Sequence, residues 1–267
     1  MMQAKAFVPG RYRVSVRTAL RILQHLGMQV MCPCCRWHFR RFLPFGVVER
    51  TDALCPRCGS LERHRLLWLY LKNKTDFFAP NHSVLHVAPE PVFARIFRKM
   101  PLIHYVTADL SSTLASTRMD ITYIPYKHNS FDVILCNHVL EHVVEDQKAI
   151  RELFRVLTPG GWAILQCPID SQRAKTFEDP SITAPHDRAR AFGQHDHVRI
   201  YGRDYKERLE KAGFTVKVDN YARDLDINVV RKYGLKDEEI HFCTKPLGTT
   251  RSTSNRSGRY ASIPTLA

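Results

Sequence analysis

The chain has 267 residues, 44% of them hydrophobic, and a formal charge of +14, which provides for one core of roughly 150 to 200 residues and a smaller second unit. No stretch is long and apolar enough to cross a bilayer as a helix, and the first thirty residues lack the apolar segment and small-residue cleavage site of a secretory signal, so a cytoplasmic protein is expected. Residues 1 to 75 hold 14 Lys or Arg against 3 acids and residues 245 to 267 hold 4 against none, leaving 22 against 23 between them, so any attraction to phosphate or anionic lipid belongs to the ends and not to the middle.

Residues 1–30 form a basic N-terminal segment in which Ala19–Leu26, flanked by Arg11, Arg13, Arg17 and Arg21, has the pattern of a short amphipathic helix. Packing on its own domain is favoured over peripheral membrane contact. Residues 31–75 come next. With 8 cysteines in a reducing compartment, metal ligands or buried thiols are expected before disulfides. Cys32, Cys35, Cys55 and Cys58 give two C-x2-C pairs, and four thiolates at that spacing make a closed, structural Zn2+ site with no open catalytic position. Cys34 is the odd member, left aside because the second pair has a two-residue gap. Trp37, Phe39, Phe42 and Phe45 lie among arginines between the pairs, a mixture that can stack bases, but a small core of the ribbon itself is the preferred reading. Ser60–Lys72 then reads as a helix with Ser60 as N-cap, docking the ribbon on the larger C-terminal unit.

Residues 76–246 alternate strands and helices, an α/β pattern. Ser83–Ala88 and His104–Asp109 read as strands, with a third short one ending at Asp120. Phe131–Cys136 is a nearly continuous apolar run, as expected where helices cover both faces of a parallel sheet. Ile150, Leu153, Phe154 and Leu157 have helical spacing, Pro159, Gly160 and Gly161 read as the stop, and Trp162–Gln166 as the next strand. Asp109 lies where an acid holds ribose hydroxyls in a dinucleotide-type βαβ unit, although a single Asp ending a strand is more often a turn residue. More than thirty residues separate Asp170 from a helix at Asp204–Ala212, a length suited to a lid over the ligand crevice. His138, Asp170, His195 and His197 are the candidate general bases. The His195-x-His197 pair has no third ligand placed by spacing, so a second metal site is not expected. Phe214–Val218 and Ile240–Cys243 complete the strands as an antiparallel edge. The tail 247–267 reads as disordered, and no internal repeat is evident.

The block SFDVILCNHVLEHV at Ser130–Val143, with the helix that closes in RVLTPGG at Arg155–Gly161, resembles the fourth strand, its helix and the fifth strand of class I S-adenosylmethionine-dependent methyltransferases of the type 11 group. The resemblance implies a Rossmann-like seven-stranded methyltransferase sheet carrying a small N-terminal zinc ribbon, with S-adenosyl-L-methionine as cofactor. It further implies that Asp109, with Leu110 beside it, accepts both ribose hydroxyls and that Asp120 contacts the adenine amino group. Ile121 then lines the adenine slot, and Asn137 and His138 lie near the methionine half. The family's D-x-G-x-G-x-G loop is replaced here by HVAPEP at His86–Pro91. His86, Ala88 and Glu90 would then face the cofactor, Ala88 being small enough for close approach and Glu90 meeting the ammonium or sulfonium charge. FGQHDHVRIYG at Phe192–Gly202 resembles a segment of bacterial zinc-ribbon methyltransferases of unassigned substrate, a likeness covering residues 31–245. The near-neutral catalytic domain and long lid favour a small-molecule, glycan or lipid-precursor acceptor. A basic, aromatic ribbon supports RNA instead, in a layout that resembles the ribosomal guanine methyltransferases with N-terminal zinc. The missing glycines support a third reading, a binding protein with a degenerate fold.

Overall fold

The computed structural model describes residues 16–46, 48–113 and 115–247. The first fifteen residues of the basic segment, with Arg11 and Arg13, and the tail beyond Leu247 lie outside the described residues. A seven-stranded sheet organises the rest: β1 (Ser83–Val87), β2 (His104–Asp109), β3 (Thr117–Arg118), β4 (Phe131–Asn137), β5 (Leu157–Gln166), β6 (Thr215–Asp219) and β7 (Ile240–Thr244), in the order β3-β2-β1-β4-β5-β7-β6. All neighbours are parallel except β7, which runs antiparallel to both β5 and β6. The apolar runs of β1, β4 and β5 reflect burial on both faces. Val84, Val133, Leu135 and Ile164 enter one core, and Leu85, Ile134, Ala163 and Leu165 enter the other, as side-chain alternation requires.

The strand after the helix Asp146–Val156 begins at Leu157, not at Trp162. Phe131 pairs with Leu157 and Val133 with Trp162, so Thr158–Gly161 bulge out inside β5. The Pro-Gly-Gly run is thus the bulge and not the helix stop. Gly160 adopts φ +80°, and a Cβ at Gly161 would stand 2.7 Å from the Asp132 carbonyl oxygen.

The ribbon is two antiparallel hairpins, Leu26–Met31 with His38–Phe39 and Leu43–Phe45 with Arg50–Leu54, preceded by a helix at Val16–Gln24. It is not a separate appendage. Its cysteines, Phe39 and Phe42 share one core with Leu66, Phe77, Val84 and Val133, so the expected ribbon core is continuous with the sheet's. Trp37 and Phe45 remain 39% and 45% exposed and take no part in it. The linking helix runs Glu62–Lys74, with Leu61 in place of Ser60 as N-cap, and His64 Nδ1 accepts a hydrogen bond from the Leu61 amide. Ser60 is engaged elsewhere: its carbonyl accepts from the Cys55 amide at 2.9 Å and its hydroxyl lies 3.1 Å from Cys32 Sγ.

Arg65, fully buried on this helix, donates to five main-chain carbonyls: Tyr233 at 2.6 Å, Gly234 at 2.7 Å, Ala53 at 2.8 Å, Ser60 at 3.1 Å and Asp52 at 3.3 Å. Its guanidinium also lies 3.8 Å from the centre of the Phe42 ring. One side chain therefore joins the ribbon to the end of the helix Ile227–Tyr233, whose Gly234 takes the left-handed conformation. Truncation strands buried acceptors, so Arg65→Ala should destabilise the protein by about 3–5 kcal/mol in urea unfolding. A loss under about 1 kcal/mol would contradict the clamp.

Candidate cofactor and metal sites

The two C-x2-C turns are built alike. In Cys32-Pro33-Cys34-Cys35-Arg36 the Arg36 amide donates to the Cys32 carbonyl and the Cys32 amide to the Trp37 carbonyl. In Cys55-Pro56-Arg57-Cys58-Gly59 the Gly59 amide donates to the Cys55 carbonyl and the Cys55 amide to the Ser60 carbonyl. Arg36 and Gly59 both have positive φ. A CPxC repeat is therefore present in the chain, too short in each copy to stand out as an internal repeat. The four sulfurs of Cys32, Cys35, Cys55 and Cys58 lie within 4.8 Å of one another, with Cys32–Cys58 at 3.6 Å and Cys35–Cys55 at 3.7 Å. A tetrahedron with metal–sulfur bonds of about 2.3 Å has edges of about 3.8 Å, so the cluster is compatible with zinc. Cys34 points away, toward the His64 carbonyl.

At the carboxyl ends of β1 and β4 a pocket is lined by Glu90, Asn137, His138, Gln166, Glu238 and, from the linking helix, Arg63 and His64. Ala88 and His138, the residues that leave β1 and β4, both have positive φ, at 46° and 54°. Ala88 thus keeps the backbone conformation a glycine would supply, at a cost of about 1–2 kcal/mol. Glu90 is placed differently from expectation. Its Oε2 lies 2.5 Å from His86 Nε2 and its Oε1 accepts from Asn137 Nδ2 at 3.0 Å, while Tyr105 Oη lies 2.6 Å from His86 Nδ1. His86 is fully buried behind Glu90 and does not line the pocket. Against the burial that opposes ionisation, the His86 contact holds the Glu90 carboxyl down at about 2.

Several buried polar atoms around this pocket have no hydrogen-bond partner among the described residues: Asn137 Oδ1, His138 Nε2, Arg63 Nε and His64 Nε2. Unmet donors and an unmet acceptor around so small a space, about 10 Å³, suit a small polar group or a bridging water. Farther along the strand ends, Asp109 and Asp120 are brought side by side by the Met119 amide, which donates to the Asp109 carbonyl at 2.9 Å. Asp109 Oδ1 accepts from the Ser111 and Ser112 amides, and Asp120 Oδ1 accepts from the Thr122 amide and hydroxyl. Both acids therefore hold their own turns through Oδ1. Leu110 is exposed, whereas Ile121 is buried in the second core.

Of the four candidate bases, only His138 lines the pocket, with Nδ1 3.4 Å from Glu141 and Nε2 3.9 Å from Glu238. Asp170 pairs with Arg173 and caps the Gln172 amide. The His195 side chain is 75% exposed. His197 is buried, and burial lowers its pKa. The segment that contains them is fastened at its root. Arg199, 3% exposed, donates to the Leu140, Val143 and Val144 carbonyls and to Glu178, while Arg208 takes Asp146 with two nitrogens. No local sequence signal marks Arg199, whose main-chain partners lie more than fifty residues away.

This geometry sets two expectations. Cys55→Ser should lose its metal as measured by elemental analysis, and Cys34→Ser should keep it; equal metal content in both would contradict the ligand set. The second concerns acid stability. Burial holds His64 and His241 down at about 4, so both resist protonation in the folded chain. Their contribution, at most about 3 kcal/mol each, is complete above the unfolded value near 6.5 and is lost as pH falls toward 4. His197 acts with the same sign, and Glu238, pushed up by burial, opposes them. The urea midpoint should fall as pH drops from about 6.5 to about 4.5, with a shallower slope in His241→Phe; a flat midpoint would contradict the assignment.

Residues 94–165 match the family described as methyltransferase domain. No curated protein matches the chain by sequence. Among solved structures, the [4+2]-cyclase SpnF is 18% identical with a TM-score of 0.49, covering 71% of this chain and 84% of that one. A methyltransferase-like protein from Bacillus halodurans is 16% identical with a TM-score of 0.44, covering 68% and 98%. A chain in the complex of the Haloferax volcanii Trm112 methyltransferase activator with its methyltransferase partner is 15% identical with a TM-score of 0.44, covering 62% and 83%. Residues 94–165 thus match a methyltransferase domain, they lie within the β3-β2-β1-β4-β5-β7-β6 sheet, and a four-cysteine ribbon precedes them.

Proposed function

We propose that the chain binds S-adenosyl-L-methionine across the ends of β1, β2 and β4 and transfers its methyl group to a small-molecule, glycan or lipid-precursor acceptor. The observation that carries the reading is the set of buried polar atoms left without hydrogen-bond partners where the methionine end would lie. Glu90 and Asn137 Oδ1 would accept from the ammonium group, and Arg63 and His64 would donate to the carboxylate. Asp109 and Asp120 would hold the ribose and the adenine. The cofactor supplies an electrophilic methyl on a sulfonium, whose displacement needs alignment and exclusion of water more than a strong base. His138, between Glu141 and Glu238, is the residue that would take an acceptor proton. Zinc in the cysteine cluster would be structural, holding the linking helix that brings Arg63 and His64 to the pocket.

The ribbon withdraws part of its aromatic set from RNA: Phe39 and Phe42 are buried and Arg57 covers one face of Trp37 at 4.5 Å, so Phe45 and the rest of Trp37 are what it would offer to stacked bases. The conformation of Ala88 argues against a degenerate fold, because a chain that no longer bound a ligand would have no reason to keep a strained residue there.

Asp109 provides the test. Asp109→Ala should weaken S-adenosylmethionine binding about tenfold to several hundredfold by calorimetry, through loss of charge-assisted bonds worth about 1.5–3 kcal/mol each. Asp109→Asn keeps Oδ1 for the Ser111 and Ser112 amides and replaces the other oxygen with a donor, so it should weaken binding nearly as much while leaving the turn intact. Wild-type affinity in Asp109→Asn would mean that Asp109 serves only its turn.

A further inference from the structure

The turn after β4, Leu140–His142, meets the segment between Asp170 and Asp204 at a second cluster. The Val198 amide donates to the Glu141 carbonyl at 2.9 Å, and Tyr201 Oη and Arg199 both reach the Leu140 carbonyl. These bonds bring His197 to Glu141 and His142. One ligand atom from each of the three lies within 4.8 Å of the other two, and the His142 and His197 rings meet edge to face at 4.7 Å. Spacing along the sequence leaves His195-x-His197 without a third ligand. The fold supplies two, and uses only His197 of the pair.

Glu141 Oε2 is buried without a hydrogen-bond partner among the described residues, in a side chain 3% exposed. Its other oxygen has only His138 Nδ1, at 3.4 Å. A carboxylate so placed is expensive unless a cation or a donor meets it. One of the two imidazoles also has an outer partner of the kind metal ligands usually have. His142 Nδ1 faces Asp196, with Oδ2 and the main-chain carbonyl each at 3.3 Å. Such a partner fixes the tautomer and leaves the second ring nitrogen with its lone pair free.

We propose that Glu141, His142 and His197 bind a divalent first-row transition ion, separate from the four-cysteine site. Two imidazoles and a carboxylate suit zinc, manganese, iron, cobalt or nickel rather than magnesium or calcium. Three protein ligands leave positions open, unlike the closed thiolate cluster. The ion ties the turn after β4 to the segment that crosses it, one side chain from the pocket through His138.

The test is calorimetric titration of the full chain, with zinc already in its cysteine site, using MnCl2, CoCl2, NiCl2 and ZnCl2 in turn. At least one of them should bind with one ion per chain and a Kd of about 10 µM or tighter. Glu141→Gln and His197→Ala should each weaken that binding at least about tenfold. His195→Ala, which removes an exposed imidazole two residues from His197, should leave it unchanged. Absence of any ion bound more tightly than about 1 mM, or equal binding in the two ligand variants, overturns the proposal. Should those variants fail to fold, anomalous scattering from wild-type crystals soaked in the tightest ion decides. A peak between the three side chains supports the site, and a peak elsewhere or none overturns it.

Discussion

The structure depends on one buried cation. Arg65 fastens the second ribbon hairpin, the second cysteine turn and the end of the helix Ile227–Tyr233 to a single position on the linking helix. Burying a guanidinium costs several kcal/mol, and burial does lower its pKa. Five charge-assisted hydrogen bonds of about 1.5–3 kcal/mol each offset that cost. The cysteines also favour the positive charge, and a four-thiolate cluster around a divalent ion carries net negative charge. Arg63 and His64 precede Arg65 on the same helix, so the clamp that fixes the ribbon also fixes two walls of the pocket.

The loop after β1 is held by side chains. A glycine-rich loop offers main-chain amides to its ligand, whereas His86–Pro91 offers a side-chain relay. Tyr105 Oη, buried and with its pKa raised, meets His86 Nδ1, the ring's Nε2 side meets Glu90, and Glu90 accepts from Asn137 Nδ2. Glu90 is therefore a fixed negative group at the strand ends, not a loose counter-ion for whatever enters. Ala88, at φ 46°, takes a backbone conformation that glycine adopts freely.

What was legible in the sequence is what is local. The C-x2-C spacing gave the four sulfurs, and apolar runs gave β1, β4 and β5, because each signal spans a few residues. The Pro-Gly-Gly run misled because the same residues serve a helix stop and a strand bulge, and the choice rests on pairing with β4. Ser60 misled because its oxygens serve the cysteine turn. Arg65 gave no signal, since two of its acceptors are 168 and 169 positions away. His197 resembled its exposed neighbour His195 until Glu141 and His142, more than fifty residues earlier, were brought beside it.

On the proposed function, metal in the ribbon and S-adenosylmethionine in the pocket would stabilise the same docked helix. If so, each must protect the other, because binding linkage is reciprocal. The direct measurement is the rate at which a chelator strips zinc from the cysteine cluster, with and without S-adenosylhomocysteine. At about a hundred times its Kd, that ligand should slow release by up to about a hundredfold. An unchanged rate would mean that the ribbon and the pocket share a core but not a function.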